Sequence, residues 1–146
     1  MKYGIDINSE RILSFISEKL KERGHFIIDL TDKNNINNGK SLLKKVIISN
    51  VTNVDFFLAI DFKKEITVPV IFYEDNYSEI FVKEFIEVFG DKFKNISCKN
   101  GKHLYLVKNI KASVVYITFS TKDKEIVEKL LITNRLIDIL ENIKND

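Results

Sequence analysis

Apolar residues recur along the chain at two spacings, one typical of strands and the other typical of helices. Short runs rich in β-branched and aromatic residues predict six strands, which are Tyr3–Ile7, His25–Thr31, Asp55–Phe62, Val68–Tyr73, His103–Val107 and Ser113–Phe119. Between these runs, apolar residues three or four positions apart predict four helices, which begin after Asn8 and Ser9, at Ser41, near Asn76 and near Lys122.

The order of these elements along the chain is β-α-β-α-β-β-α-β-β-α. Strands that alternate with helices predict a three-layer α/β/α fold with a mostly parallel, six-stranded sheet. The run Asp55–Phe62 is almost continuously apolar, which is typical of a central strand covered on both faces. The polar segments Asp32–Lys40 and Asp91–Lys102 predict connections. We find no internal repeat and no domain boundary, so we expect a single domain over residues 1–146.

Polar residues gather where the predicted strands end. Ligands of such sheets usually bind outside the carboxyl ends of the strands. The residues at that edge form a candidate ligand-binding cleft, namely Asn8, Ser9, Glu10, Asp61, Lys63 and Thr118. The alternative is that these residues are polar only because strand ends meet water.

Composition and charge exclude several classes of protein. Of the 146 residues, 45% are apolar and 30% are charged, which excludes a disordered tail, and the net charge of +2 is too small to indicate binding to nucleic acid or to an anionic membrane. A single cysteine, Cys98, excludes an intramolecular disulfide and a thiolate zinc cage. The longest uncharged run, Ala112–Thr121, is too short to span a membrane. The first thirty residues lack an apolar signal-peptide core, so we expect a cytoplasmic protein.

Several short segments, taken in order, resemble one enzyme family. The strand Lys2–Ile7 runs into Asn8-Ser9-Glu10, and Lys45 precedes Ser49-Asn50 by four residues. A later strand ends in Ile60-Asp61, and the last strand is followed by Lys122-Asp123-Lys124-Glu125. In this order and spacing, the chain resembles the catalytic domain of zinc-dependent N-acetylmuramoyl-L-alanine amidases, including clostridial phage endolysins.

The resemblance implies an enzymatic activity, but the residues that would carry it are replaced in this chain. The family cleaves the bond between muramic acid and the first alanine of the peptidoglycan stem peptide, using zinc held by histidines and a catalytic glutamate. Its two histidine positions fall on Ser9 and Asp61, and its glutamate falls on Ile117. Serine is a poor zinc ligand and isoleucine cannot transfer a proton. We therefore expect no catalytic residues, no metal site and no cofactor, with Glu10 as the one nearby carboxylate that could replace the family's remaining ligand.

Three hypotheses follow from these substitutions. The first is a catalytically inactive amidase-fold domain that binds a cell-wall muropeptide or a protein partner, including a second copy of itself. The second is a peptidoglycan hydrolase with altered site chemistry, in which Glu10 and Asp61 hold a metal or act without one. The third is a phage-derived scaffold or oligomerisation domain. Without a signal peptide, access to the cell wall would need lysis or a holin-like route.

Other residues that could carry chemistry have simpler explanations. We expect His25 and His103 to have surface or capping roles, and Cys98 to be an unreactive thiol. We expect Asp6 to form a structural hydrogen bond. The pair Lys63–Lys64 is expected to be a solvated loop, with contact to an anionic glycan peptide as the alternative.

Overall fold

A computed structural model describes residues 1–32, 39–93 and 95–143 of the chain. The strands of these residues are β1 (Lys2–Ile7), β2 (Phe26–Asp29), β3 (Phe56–Lys63), β4 (Val70–Tyr73), β5 (Ser97–Asn100) and β6 (Ser113–Ser120). The helices are α1 (Glu10–Glu22), α2 (Gly39–Val51), α3 (Asn76–Phe89), α4 (Tyr105–Asn109), α5 (Lys124–Leu131) and α6 (Asn134–Glu141). Most of the predicted loop Asp32–Lys40 lies outside the described residues, and its last two residues already belong to α2.

The described strands form one six-stranded sheet in the order β2-β1-β3-β6-β4-β5. Four of its five pairings are parallel, and the pairing of β4 with β6 is antiparallel. The prediction of a mostly parallel, six-stranded sheet is therefore confirmed. The carboxyl ends of β1, β2, β3 and β6 lie at the same edge of the sheet, where the ligand-binding edge was expected.

Helices cover both faces of the sheet, as a three-layer fold requires. Helices α1, α3, α5 and α6 pack on one face, in a cluster that includes Ile12, Phe81, Val127 and Ile137. Helices α2 and α4 pack on the other face, which we call the α2 face, in a smaller cluster with Val46 and Leu106. Strand β3 is buried on both sides, since its first five residues are all inaccessible to solvent.

The prediction of a strand at His103–Val107 is wrong. That segment contains the short helix α4, and the fifth strand is Ser97–Asn100, within the predicted connection Asp91–Lys102. Strand β5 lies at the edge of the sheet and its residues are mostly exposed. The fold therefore does not require alternating apolar and polar residues in this strand. Within the segment His103-Leu-Tyr-Leu-Val107, Leu106 of α4 packs in the core of the α2 face.

The single last helix that the sequence predicts is two helices in the structure. Thr133 begins α6, and its hydroxyl accepts a hydrogen bond from the backbone N–H of Arg135. Such a cap fixes an extended residue before the first turn, so the chain cannot continue as one helix from α5. None of the helices in the described residues is long and apolar enough to cross a membrane.

Candidate functional site

A cavity of about 250 Å³ opens on the α2 face, where β1 and β3 end. The strands supply its polar floor, and α2 and the segment leading into α4 supply much of its wall. Its lining includes the polar residues Asp6, Asn8, Thr31, Lys45, Asp61 and Tyr116, together with the apolar residues Leu42, Leu104, Leu106 and Val107. A concave, partly apolar site with a few polar groups is the usual form of a small-molecule site.

An ion pair between α2 and β1 forms one side of the cavity floor. Lys45 Nζ on α2 donates to Asp6 Oδ2 on β1 over 2.8 Å, and only 12% and 19% of the two side chains are exposed. Burial raises the pKa of Asp6, the hydrogen bond from Lys45 lowers it, and the nearby carboxylates Asp61 and Asp29 raise it further. The net pKa shift is upward, so the lysine only partly offsets the cost of burying this carboxylate.

The second carboxylate of the floor, Asp61, is held by neutral donors. Its Oδ1 accepts hydrogen bonds from Asn8 Nδ2 at 3.1 Å and from the backbone N–H of Phe62 at 2.8 Å. The Tyr116 hydroxyl donates to Oδ2 over 3.4 Å. Burial, and then the negative charge of Asp61, raise the pKa of Tyr116 far above its ordinary value, so this phenol stays protonated and acts as a donor.

Two residues at the family's functional positions face away from the cavity. Side chains of a strand point alternately to its two faces. Ile117 packs with Ile5 and Ile7 on the face opposite the cavity, whereas the preceding residue, Tyr116, reaches the cavity. Ser9 is also buried away from it, and its hydroxyl donates to Glu128 Oε2 of α5 over 2.6 Å. A carboxylate at position 117 of β6 would therefore point away from the cavity.

Of the six residues predicted to form the cleft, Asn8 and Asp61 line the cavity. Ser9 instead caps α1, and Glu10 is exposed in the first turn of that helix. Lys63 lies beside the cavity, with Nζ 5.8 Å from the centroid of the Tyr116 ring. Thr118 is buried, and its hydroxyl lies 3.5 Å from the carbonyl oxygen of Val70.

Sequence reasoning missed the part of the cavity that comes from other elements. In the sequence, Lys45 stands out only through its spacing to Ser49-Asn50, and Tyr116 lies within a predicted strand with no role of its own. Strand alternation could have found Tyr116, because it lies two residues before the predicted cleft residue Thr118. The wall formed by Leu104–Val107 could not be found, because that segment was predicted to be a strand.

The donors of the cavity do not fit a zinc ion. In residues 1–32, 39–93 and 95–143, no three His, Cys, Asp or Glu side chains come together as a metal site. His25 is buried at the opposite edge of the sheet and bonds Glu141 Oε2 at 2.7 Å, rather than lying at the surface. His103 packs edge-on against Phe72. Neither imidazole lines the cavity, whereas zinc prefers nitrogen and sulfur ligands.

Comparison with solved structures identifies the same fold in other proteins. The catalytic domain of the CD27L endolysin, which targets Clostridia difficile, has a TM-score of 0.71 at 16% identity, over 94% of this chain and 97% of its own. The chain has the amidase fold. The CwlD amidase from Clostridioides difficile, in complex with the GerS lipoprotein, has a TM-score of 0.65 at 13% identity over 97% of each chain.

A third structure extends the amidase fold beyond these two proteins. The catalytic domain of CwlV, an N-acetylmuramoyl-L-alanine amidase from Bacillus (Paenibacillus) polymyxa var. colistinus, has a TM-score of 0.68 at 10% identity, over 99% of this chain and 100% of its own. No protein-family model and no curated protein sequence matches the chain. The amidase-like fold expected from the sequence is therefore confirmed over nearly its whole length.

Proposed function

We propose that this chain is an amidase-fold domain that binds a cell-wall muropeptide in the cavity and does not hydrolyse it by the zinc route. The observation that carries the proposal is the cavity itself, which is open and has a polar floor at the carboxyl ends of β1 and β3. Proteins that share this fold include an N-acetylmuramoyl-L-alanine amidase, which supports a muropeptide as the ligand.

The arrangement of the floor supports binding rather than zinc-dependent hydrolysis. Asp6 is engaged by Lys45, and Asp61 is engaged by an amide, a backbone N–H and a phenol. These groups satisfy one another as a preformed hydrogen-bonding surface, which suits the amides and hydroxyls of a glycopeptide. A hydrolase with altered chemistry was expected to use Glu10 together with Asp61, but Glu10 is exposed on α1 and does not line the cavity.

A pure scaffold role has less support from the cavity. A domain that keeps only its shape has no need of an open site, and its former cleft would be filled by side chains. Here a space of about 250 Å³ remains beside a floor of charged and hydrogen-bonding groups. Burying polar groups of this kind costs stability, and a role in ligand binding would explain why the fold keeps them.

The proposal is tested by NMR titration of the ¹⁵N-labelled protein with N-acetylmuramoyl-L-alanyl-D-isoglutamine. We expect saturable shifts of the amides of Asn8, Asp61 and Leu104–Val107, weakened by Tyr105→Ala, which truncates the wall. The matched control is Tyr77→Ala, because Tyr77 is also an exposed tyrosine, lies on α3 and does not line the cavity. No shift at millimolar ligand would overturn binding. Release of the peptide in the presence of added zinc, followed by chromatography, would overturn the absence of hydrolysis.

A protein partner is the second candidate. One protein of the same fold, CwlD, forms a complex with a lipoprotein, GerS. A second copy of this chain is the simplest such partner to test, by sedimentation velocity over a hundredfold range of concentration. A sedimentation coefficient that rises with concentration would support self-association, and a constant monomeric value would exclude it.

A further inference from the structure

Two carboxylates of the cavity floor, those of Asp6 and Asp61, differ in their partners among the described residues. The carboxylate of Asp6 is matched by Lys45 at 2.8 Å. The carboxylate of Asp61 accepts hydrogen bonds from Asn8, Phe62 and Tyr116, which are all uncharged donors. Within the described chain, Asp61 has no Lys, Arg or His nitrogen within 4 Å. Asp61 therefore has hydrogen-bond donors but no ion-pair partner among the described residues.

The negative charge of Asp61 acts on two other groups of the cavity floor. At Tyr116, burial and then the charge of Asp61 raise the pKa. At Asp6, burial raises the pKa, Lys45 lowers it, and Asp61 raises it by a smaller effect. Asp6 and Glu65 raise the pKa of Tyr116 further. The carboxylates around the Tyr116 hydroxyl oppose its ionisation, and the same negative charges favour the binding of a positive charge beside Asp61.

The walls restrict what such a cation could be. Leu42, Leu104, Leu106 and Val107 line the cavity beside the carboxylates, so the part of the ligand that precedes the charge is apolar. The Tyr116 ring is already occupied, because Phe72 stacks on it at 5.9 Å and Lys63 Nζ lies 5.8 Å from its centroid. A quaternary ammonium group, which needs open aromatic faces, is therefore a poor fit, and a hydrogen-bonding ammonium is a good one.

We infer that the cavity selects a ligand with a primary ammonium group on an aliphatic chain, and that Asp61 is the counter-ion of that group. This inference rests on the proposed function and deepens it, because it specifies a stem peptide with a free lysine-type side chain. The cavity of about 250 Å³ has room for such a side chain.

The test compares two peptides that differ only in one charge. The probes are N-acetylmuramoyl-L-alanyl-γ-D-glutamyl-L-lysine and the same compound with its lysine Nε acetylated. We expect the free amine to bind the wild-type protein about tenfold more tightly, as a charge-assisted hydrogen bond in a partly buried site predicts. We also expect this preference to weaken as salt rises, and to disappear in Asp61→Asn.

The matched control for Asp61→Asn is Asp123→Asn, which removes an aspartate near the same edge of the sheet without changing the cavity lining. It should keep the preference for the free amine. Equal affinity for the two peptides in the wild-type protein would overturn this inference and leave the proposed function intact. If neither peptide binds, the proposed function fails with it. The peptide comparison needs no variant, so it decides the matter even if Asp61→Asn does not fold.

Discussion

Replacing Lys45 by methionine should make the stability of this protein depend strongly on pH, because Asp6 then loses the cation that partly neutralises it. The two charged groups are 2.8 Å apart and mostly buried. Removing one partner of a buried ion pair costs about 3–5 kcal/mol. Because both side chains keep some contact with solvent, we expect about 3 kcal/mol at pH 7, which is the lower end of that range.

The carboxyl group of Asp6 can escape this penalty by taking up a proton, which sets an upper limit on the cost. Protonation relative to an unfolded pKa of about 3.9 costs about 1.4 kcal/mol per pH unit, so the limit is about 4 kcal/mol at pH 7 and about 1.5 kcal/mol at pH 5. The folded pKa of Asp6 is already raised, and the variant should raise it further. The stability linked to this group is therefore fully present below the unfolded pKa and is lost as pH rises through the folded pKa.

The assay is urea unfolding followed by circular dichroism at pH 5, 6, 7 and 8. The loss of unfolding free energy in Lys45→Met should grow over this range, whereas Lys44→Met, an exposed neighbour on the same helix, should cost little at any pH. The double variant Asp6→Asn with Lys45→Met should recover most of the stability at pH 7, because neither charge remains. A loss of equal size at pH 5 and pH 8 would refute the reasoning.

Three further predictions concern single side chains away from the cavity floor. Ser49→Ala should raise the free energy of unfolding by up to about 1 kcal/mol in urea melts, because this buried hydroxyl has no hydrogen-bond partner within the described structure. Ser9→Ala should lower it by about 1–3 kcal/mol, since the helix cap and the bond to Glu128 are both lost, and Ser9→Thr should restore part of the difference. The hydrogen bond from His25 lowers the pKa of Glu141, burial raises it by a smaller effect, and Arg23 lowers it further. The stability that ionised Glu141 contributes is therefore present above its unfolded pKa and is lost as pH falls through its folded pKa. Glu141→Gln should therefore flatten the acid limb of the stability profile, and an unchanged acid limb would contradict this assignment.

The central part of the fold could be predicted because burial imposes a clear pattern on its sequence. Strand β3 reads as an apolar run, and the face of α1 repeats at helical spacing, so both were placed within a residue or two. The edge strand β5 could not be predicted, because solvent satisfies its outer side and nothing selects for apolar alternation. The short helix α4 was mistaken for a strand because five residues are too few to distinguish the two periods.

The candidate site was predictable only as far as the position of the sheet edge. The rule that ligands bind at the carboxyl ends of parallel strands led to Asn8 and Asp61. It could not separate the two faces of that edge, so Ser9, which points to α5, was included with them. Lys45 reaches Asp6 from a different element, 39 residues away in sequence, and such a pairing depends on how α2 packs on the sheet.

The place of β6 in the sheet has a consequence for how the polypeptide is made. Strand β6 lies between β3 and β4, yet it is the last of the described strands to leave the ribosome. Until residues 113–120 emerge, β3 and β4 have no partner on their inner sides, and the unpaired backbone N–H and C=O groups along the edge of the apolar strand β3 are open to other chains. A translation pause or a truncation before β6 should therefore yield an aggregating species, whereas loss of the outer strand β5 would leave the parallel core of the sheet paired.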